Sequence, residues 1–182
     1  MALSIALAIA LPLGTLGAHS PAVRSAILSV FTIGRVVPSL AVLAIAQPFF
    51  GVGFKTAVIA LTLLAIPPII INADLAFRGI PPAVIDAADG MGMTFWGRLF
   101  RVEWPLAVPL IFAGIRTAAT ELVASATLAA FIGGGGLGEY ILRGLQANNQ
   151  GLLLEGSILV AALAIAVEIV LALTGRLIGD RL

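Results

Sequence analysis

The stretch DAADGMGMTFWGRLFRVEWP, Asp86–Pro105, decides how this chain is read. It carries Asp86, Asp89, Arg98, Arg101 and Glu103, with glycines at 90 and 92, between two runs that are almost wholly apolar. Just upstream, Pro81-Pro82 suits a helix start, where the missing backbone donor costs nothing. The segment Pro82–Gly90 then reads as a short helix that presents Ala83, Ala87 and Ala88 as small residues. Gly90 and Gly92 break it. Met93–Val102 reads as a second short helix, with Phe95, Leu99 and Val102 on one apolar stripe. Trp96, Phe100 and Glu103 lie beside that stripe, Arg98 and Arg101 point elsewhere, and Pro105 opens the next apolar run. Two roles fit such a loop. Aromatics beside an arginine rim make a protein-docking knob; an amphipathic pair of helices can equally lie on a membrane and only cover a bundle.

Composition supplies the membrane. Of 182 residues, 60% are hydrophobic and only 10% charged, against about 25% charged in a soluble domain. Too few charges remain to cover a water-facing surface. The net charge of +1 gives no reason to expect a nucleic-acid partner. With no cysteine, disulfides and thiolate metal sites are excluded. The single histidine, His19, cannot hold a metal alone and reads as an interfacial loop residue.

Five apolar runs follow one another: Ala2–Gly17, Ser25–Ala46 (containing Arg35), Phe54–Ala73, Pro105–Ile132 and Leu152–Leu173. None alternates polar and apolar as a membrane barrel strand does, so all five read as helices in one domain, residues 1–182, with a cytoplasmic loop over 82–104. The first lacks the positive flank of a signal peptide and is short of the about twenty residues that cross a bilayer, so the N-terminus is expected to be truncated. Pro67-Pro68 should kink the third run. The fourth would reach roughly 42 Å as one helix, beyond the about 30 Å hydrocarbon core, so it must tilt, break or divide. Arg24, Arg78, Arg98, Arg101, Arg176 and Arg181 gather at one set of ends and Lys55 and Arg143 at the other. The positive-inside rule then sets the N-terminus outside and the C-terminus in the cytoplasm.

The central loop resembles that of binding-protein-dependent ABC importer permeases. Their pattern is Glu-Ala-Ala, three residues, Gly, nine residues, Ile-x-Leu-Pro. Here Asp86-Ala87-Ala88, Gly92 and Val102-Glu103-Trp104-Pro105 stand at the same spacing, with Asp86 in place of glutamate and Trp104 in place of leucine. Further stretches, IGRVVPSLAVLAI (33–45), PPIIINADLAFRGIPPAVIDAADGMGM (67–93) and ELVASATLAAFIGGGGLGEYILRGL (121–145), resemble the glycine betaine/carnitine/choline branch. Methionine importer permeases are the near alternative. The resemblance implies an all-α type I importer permease in a bacterial inner membrane, moving an osmoprotectant such as glycine betaine, choline or carnitine. It implies that Asp86, Ala87, Ala88, Gly92, Val102 and Pro105 of this chain form a coupling site for an ATPase subunit. It also implies a second permease subunit, identical or related, and an external substrate-binding protein. The chain has no G-x-x-x-x-G-K-[ST] phosphate loop, so ATP and Mg would be bound by the partner ATPase and no cofactor by this chain.

Ionisable groups at membrane depth usually face a bundle interior or a water path. Arg35, Arg116, Glu121 and Glu168 fall well inside the apolar runs, away from their first turns. Thr117, Glu121 and Ser125, with Thr120 beside them, form a polar stripe at helical spacing. It reads either as the wall of a translocation path or as hydrogen bonds and an Arg–Glu pair that fix packing. The run GGGGLG, 133–138, lacks the strand and lysine of a phosphate loop and reads as a tight turn or close helix contact on the outer side. Glu139 and Tyr140 after it read as groups that meet substrate or the binding protein, or as plain surface. With two Trp, both in the central loop, and one Tyr, no aromatic cage for a quaternary ammonium is expected here, and selectivity is assigned to the binding protein. A membrane enzyme would need a catalytic cluster that the sequence lacks, and a passive scaffold would not need the twenty-residue docking pattern.

Overall fold

The computed structural model describes residues 1–34 and 36–179, and the side chains of all but 28, 33, 34, 178 and 179 among them. Those residues form helices and their connections, with no strand. Among the described residues, four helical runs are long and apolar enough to cross a membrane: α1 (Ala2–His19), α4 (Phe54–Arg78), the run from Phe95 to Ile132, and α9 (Gln150–Gly179). The second apolar run is divided into two shorter helices, α2 (Pro21–Gly34) and α3 (Ser39–Phe50). Proline disfavours helical geometry in the residue before it, and Pro38 caps α3. At about 1.5 Å per residue α2 and α3 reach roughly 21 and 18 Å, enough together for one broken crossing. Arg35 lies outside the described residues, as does Arg181.

Helix α4 is the centre of the bundle. It supplies Ala57, Ala60 and Leu61 to an apolar cluster at one end, Ala65, Ile66, Ile69 and Ile70 to the middle, and Ala73, Ala76 and Phe77 to the other end. It runs unbroken through Pro67 and Pro68, both buried. The two prolines remove the donors that would serve the carbonyls of Leu63 and Leu64, and Asn72 Nδ2 donates to Pro68 O (2.8 Å) in the next turn.

Lipid gives no hydrophobic drive between helices, so close packing relies on small residues. Gly14 of α1 lies so near α4 that a Cβ there would stand 2.6 Å from Ala73 Cβ. Gly114 of α7 (Trp104–Leu128) does the same on the other side, where a Cβ would stand 2.6 Å from Asn72 Cβ.

The remaining elements decorate this three-helix core. The central loop holds α5 (Pro82–Gly90) and α6 (Phe95–Arg98). Where the sequence suggested a helix ending at Val102 and a separate span opening at Pro105, α6 continues through a π turn, Leu99–Glu103, directly into α7. Trp104 N–H bonds Leu99 O, and Pro105 has no donor to restore the usual register in the next step. At its far end α7 tightens into a 3₁₀ turn, Ala129–Ile132, which Gly133 stops in left-handed geometry. The fourth run therefore changes helix type near its end. After the glycine loop comes α8 (Gly138–Gln146), a short amphipathic helix. Helix α9 packs on α7 and α8 and is otherwise apolar and exposed, the mark of a lipid-facing span.

We expect Gly14→Val to destabilise the purified protein by about 1–3 kcal/mol, because the wedge separates α1 from α4. Gly90→Ala, which meets nothing within 4 Å, should stay within about 0.5 kcal/mol. Thermal unfolding in detergent compares the two; an equal effect would remove the close α1–α4 contact from the account.

Candidate functional site

The central loop is fastened to the bundle by a chain of charges. α5 has the predicted bounds, with Pro82 in the first turn. The chain then turns at Gly92, whose φ of +74° is one that most side chains disfavour. Thr94 caps α6 by accepting from Gly97 N–H (3.3 Å). Arg98 is directed inward: Nη1 donates to both Asp89 carboxylate oxygens (2.7 and 2.6 Å), and Nε donates to Glu103 Oε1 (2.8 Å). Glu103 is 2% exposed, and its other oxygen meets His19 Nε2 at 2.7 Å. His19 therefore ends α1 rather than sitting in a loop. Its Nδ1 faces Thr15 O (2.8 Å), and its ring packs between Phe77 of α4 and Phe95 of the loop. Arg98 lies over Phe95 as well, 5.8 Å from the ring centre. One line of contacts, Asp89–Arg98–Glu103–His19, thus joins α5, α6, the π turn and α1.

A second buried carboxylate lies at the same end. Asp74 of α4 is 2% exposed. Arg24 Nε donates to both of its oxygens (3.0 and 3.1 Å), and Arg78 lies 3.7 Å away. A buried carboxylate is tolerated only when its partners are well placed, and both carboxylates here have two. Sequence reading missed Asp74, although its position four residues before Arg78 at the end of an apolar run was a usable signal. It also missed the pairing of His19, which spans 84 residues.

Outside this fastening the loop offers an apolar face. Met91, Trp96 and Phe100 are 75%, 64% and 61% exposed, and the two rings stack with centres 6.0 Å apart. Asp86, Ala87 and Gly92 are exposed on the same loop. Ala88 is turned inward and buried, and Val102 and Pro105 are half-buried where the loop joins α7.

The polar stripe of α7 is the second station. Ala113, Arg116, Thr117, Glu121 and Ala124 are all exposed, and their spacing puts them on one helix face with half-buried Thr120. Ser125 is buried at its margin. The face has two flanks. Glu121, Ala124 and Ser125 line a cavity of about 550 Å³ with Phe31, Pro38, Leu63, Leu64 and Pro67, between α7 and the broken α2–α3 crossing. Thr117 and Thr120 instead line a cavity of about 330 Å³ with Ala113, Arg116 and Glu168. Their hydroxyls donate to carbonyls one turn back, Thr117 to Ala113 O (3.1 Å) and Thr120 to Arg116 O (3.1 Å). The four predicted path residues thus share a helix but divide between two cavities. Arg116 pairs with Glu168 across α7 and α9, through Nε at 2.8 Å and through Nη2.

At the opposite end of the bundle Gly53 N–H bonds Ile132 O (2.8 Å), and the glycine loop packs so closely that a Cβ on Gly134 would stand 2.8 Å from Ala57 Cβ. Tight contact, as the sequence suggested, is the reason for glycine here. Glu139 is paired with Arg143 on exposed α8 (2.6 Å).

A bundle of apolar helices with charged groups exposed half-way along one of them, and a charge-fastened loop at one end, is the architecture of a membrane permease subunit. The chain belongs to the binding-protein-dependent transport system inner membrane component family, whose description matches residues 10–182. It is 42% identical over 93% of its length to the carnitine transport permease protein OpuCB of Listeria monocytogenes, covering 78% of that protein. It is 39% identical over 97% of its length to the glycine betaine/carnitine/choline transport system permease protein OpuCB of Bacillus subtilis, covering 81% of it. Its fold matches a permease chain in inward-facing MetNI methionine ABC transporter crystals, with a TM-score of 0.84 over 97% of this chain and 89% of that one. At 24% identity that match establishes the type I importer permease fold alone.

Removing the shared carboxylate should cost far more than removing the outer one. Glu103→Ala leaves Arg98 and His19 without their common partner at a buried position, and we expect a loss of about 3–5 kcal/mol. Asp89→Ala, at a carboxylate about half exposed, should cost about 1 kcal/mol or less. Thermal unfolding of the two variants ranks them; comparable losses would show that Glu103 is not the hub.

Proposed function

We propose that this chain is the membrane-spanning permease subunit of an ATP-driven importer for a small osmoprotectant of the glycine betaine, carnitine or choline class. The observation that carries the reading is the central loop. It turns Met91, Trp96 and Phe100 outward while Asp89, Arg98, Glu103 and His19 hold it to the bundle. A separate cytoplasmic ATPase subunit docks there, over the face that includes Asp86, Ala87 and Gly92; Ala88, Val102 and Pro105 set the loop's seat. ATP and Mg belong to that partner, and this chain is not itself an enzyme. The names carried by its relatives support the osmoprotectant class over methionine, because the likeness to MetNI is one of fold.

The loop end is cytoplasmic in this reading. Arg24, Arg78, Arg98, Arg101 and Arg176 gather there against Lys55 and Arg143 at the other end, so the N-terminus is outside and the C-terminus inside. The exposed face of α7, with Thr117, Thr120 and Glu121, lines the translocation path and Ser125 borders it. Charged groups exposed at that depth are costly against lipid, so a second permease subunit closes the other side. An external binding protein delivers the solute.

The reading is tested by ATP-dependent uptake of radiolabelled glycine betaine into vesicles that hold the complex of this chain with its ATPase and binding protein. Uptake competed by choline and carnitine is expected; transport of methionine in its place would keep the permease and discard the substrate class. The docking site is tested at Gly92. Asn and Asp both tolerate left-handed backbone and differ chiefly in charge. Gly92→Asp should abolish uptake with the subunit still in the membrane, and Gly92→Asn should retain most of it. Normal uptake by Gly92→Asp would remove the coupling assignment.

A further inference from the structure

Arg116 stands at the centre of α7, and Glu168 reaches it from α9. Half-way along a membrane span is the depth at which a charge is least tolerated. Yet the pair is not sealed inside the bundle: its side chains remain 45% and 39% exposed, and they line the 330 Å³ cavity with Ala113, Thr117 and Thr120. A pair needed only to clip α7 to α9 would be better hidden or replaced by apolar contacts, since apolar residues of similar volume hold helices together at least as well. An opposite-charge pair that can be reached from the path has the complement of a compact zwitterion.

We infer that Arg116 and Glu168 form a mid-membrane station for a zwitterionic quaternary ammonium carboxylate, which passes by exchanging partners with the pair. The solute carboxylate takes the Arg116 guanidinium, with the bidentate geometry that arginine offers, and the ammonium takes the Glu168 carboxylate. When the solute leaves, Arg116 and Glu168 close on each other again. Every charge has an opposite partner in both states, so passage strands no charge at low dielectric. A solute with only a cationic end would satisfy Glu168 and leave Arg116 unpaired, so the station favours betaines over simple cations. The Thr117 and Thr120 oxygens on the same cavity wall offer further polar contact to the carboxylate or its water. This inference rests on the osmoprotectant reading above.

The test uses the complete complex in vesicles at saturating glycine betaine and binding protein. Wild-type uptake is measured first: its absence removes the osmoprotectant reading itself, before any variant is considered. Given wild-type uptake, the double variant Arg116→Met/Glu168→Met decides the station. It should assemble with its ATPase and retain ATP hydrolysis stimulated by the binding protein, while uptake falls by roughly tenfold or more, the loss expected when a charged hydrogen-bond partner is removed. Uptake at the wild-type rate would make the pair a packing contact and overturn the inference.

A second measurement holds even if that variant fails to assemble. The native chain has no cysteine, so a single one reports alone. Ala113→Cys should react with a membrane-impermeant thiosulfonate roughly tenfold faster than Ile165→Cys on exposed, lipid-facing α9, because the reactive thiolate forms in water. Excess glycine betaine should slow it. Equal labelling of the two cysteines, or no protection by betaine, would overturn the station.

Discussion

The close approach of α1 and α7 to α4 sets every other distance in this molecule. In a hydrocarbon solvent, helices gain little by hiding apolar side chains from one another. They gain by van der Waals contact, which depends on how near the backbones come. Gly14 against Ala73 and Gly114 against Asn72 make that approach possible on the two sides of α4. It also brings the loop-side ends of three helices together, so that His19 meets Glu103 and packs on Phe77, and Trp104 packs edge-on against Phe77 (5.5 Å). A wider spacing would leave two buried carboxylates short of their partners.

Charge is handled in opposite ways at the two stations. At the loop end, Asp74 and Glu103 are each surrounded, and no buried side-chain polar atom among the described residues lacks a hydrogen-bond partner. The cost of burying a carboxylate makes such a network intolerant of displacement: the loop must keep its position or strand a charge. At mid-depth, Arg116 and Glu168 are paired yet open. One arrangement suits a fixed attachment, and the other suits groups that change partners.

Much of this was legible in the sequence because the signals were local. Pro82 in the first turn, Gly90 at the last position, Gly92 just beyond it, and small residues in between placed α5 with the bounds observed. Hydropathy placed α1, α4, α7 and α9. Local signals also misled. Pro38 marks the break between α2 and α3, but apolar residues on both sides made one run of them. Pro105 does stand in the first turn of α7, but a π turn carries α6 into α7 without interruption, so the span is not a separate helix. Glycines at 133–138 hid the short helix that follows. The pairs Arg24–Asp74, His19–Glu103 and Arg116–Glu168 join residues 50, 84 and 52 apart. No periodicity reports such a contact, so which charge meets which had to come from the fold.

The continuity of α6 with α7 gives the proposed coupling a physical form. From Trp96 on the exposed face of the loop to Arg116 the chain is helical throughout, a distance of roughly 30 Å at 1.5 Å per residue. A displacement of the loop therefore reaches the mid-membrane face as a tilt or shift of one rod, and it does not decay through a flexible link. The π turn at Leu99–Glu103 is the irregular point on that rod, and it is there that Glu103 holds both Arg98 and His19. Because His19 ends α1, the same displacement is shared between α1 and α7, the two helices that grip α4. Movement of the pair relative to α9, which touches the rest of the chain mainly through α7 and α8, would change the spacing between Arg116 and Glu168. A loop that moves α7 against α9 is thereby placed to open and close the ion pair on which the passage of a zwitterion is proposed to depend.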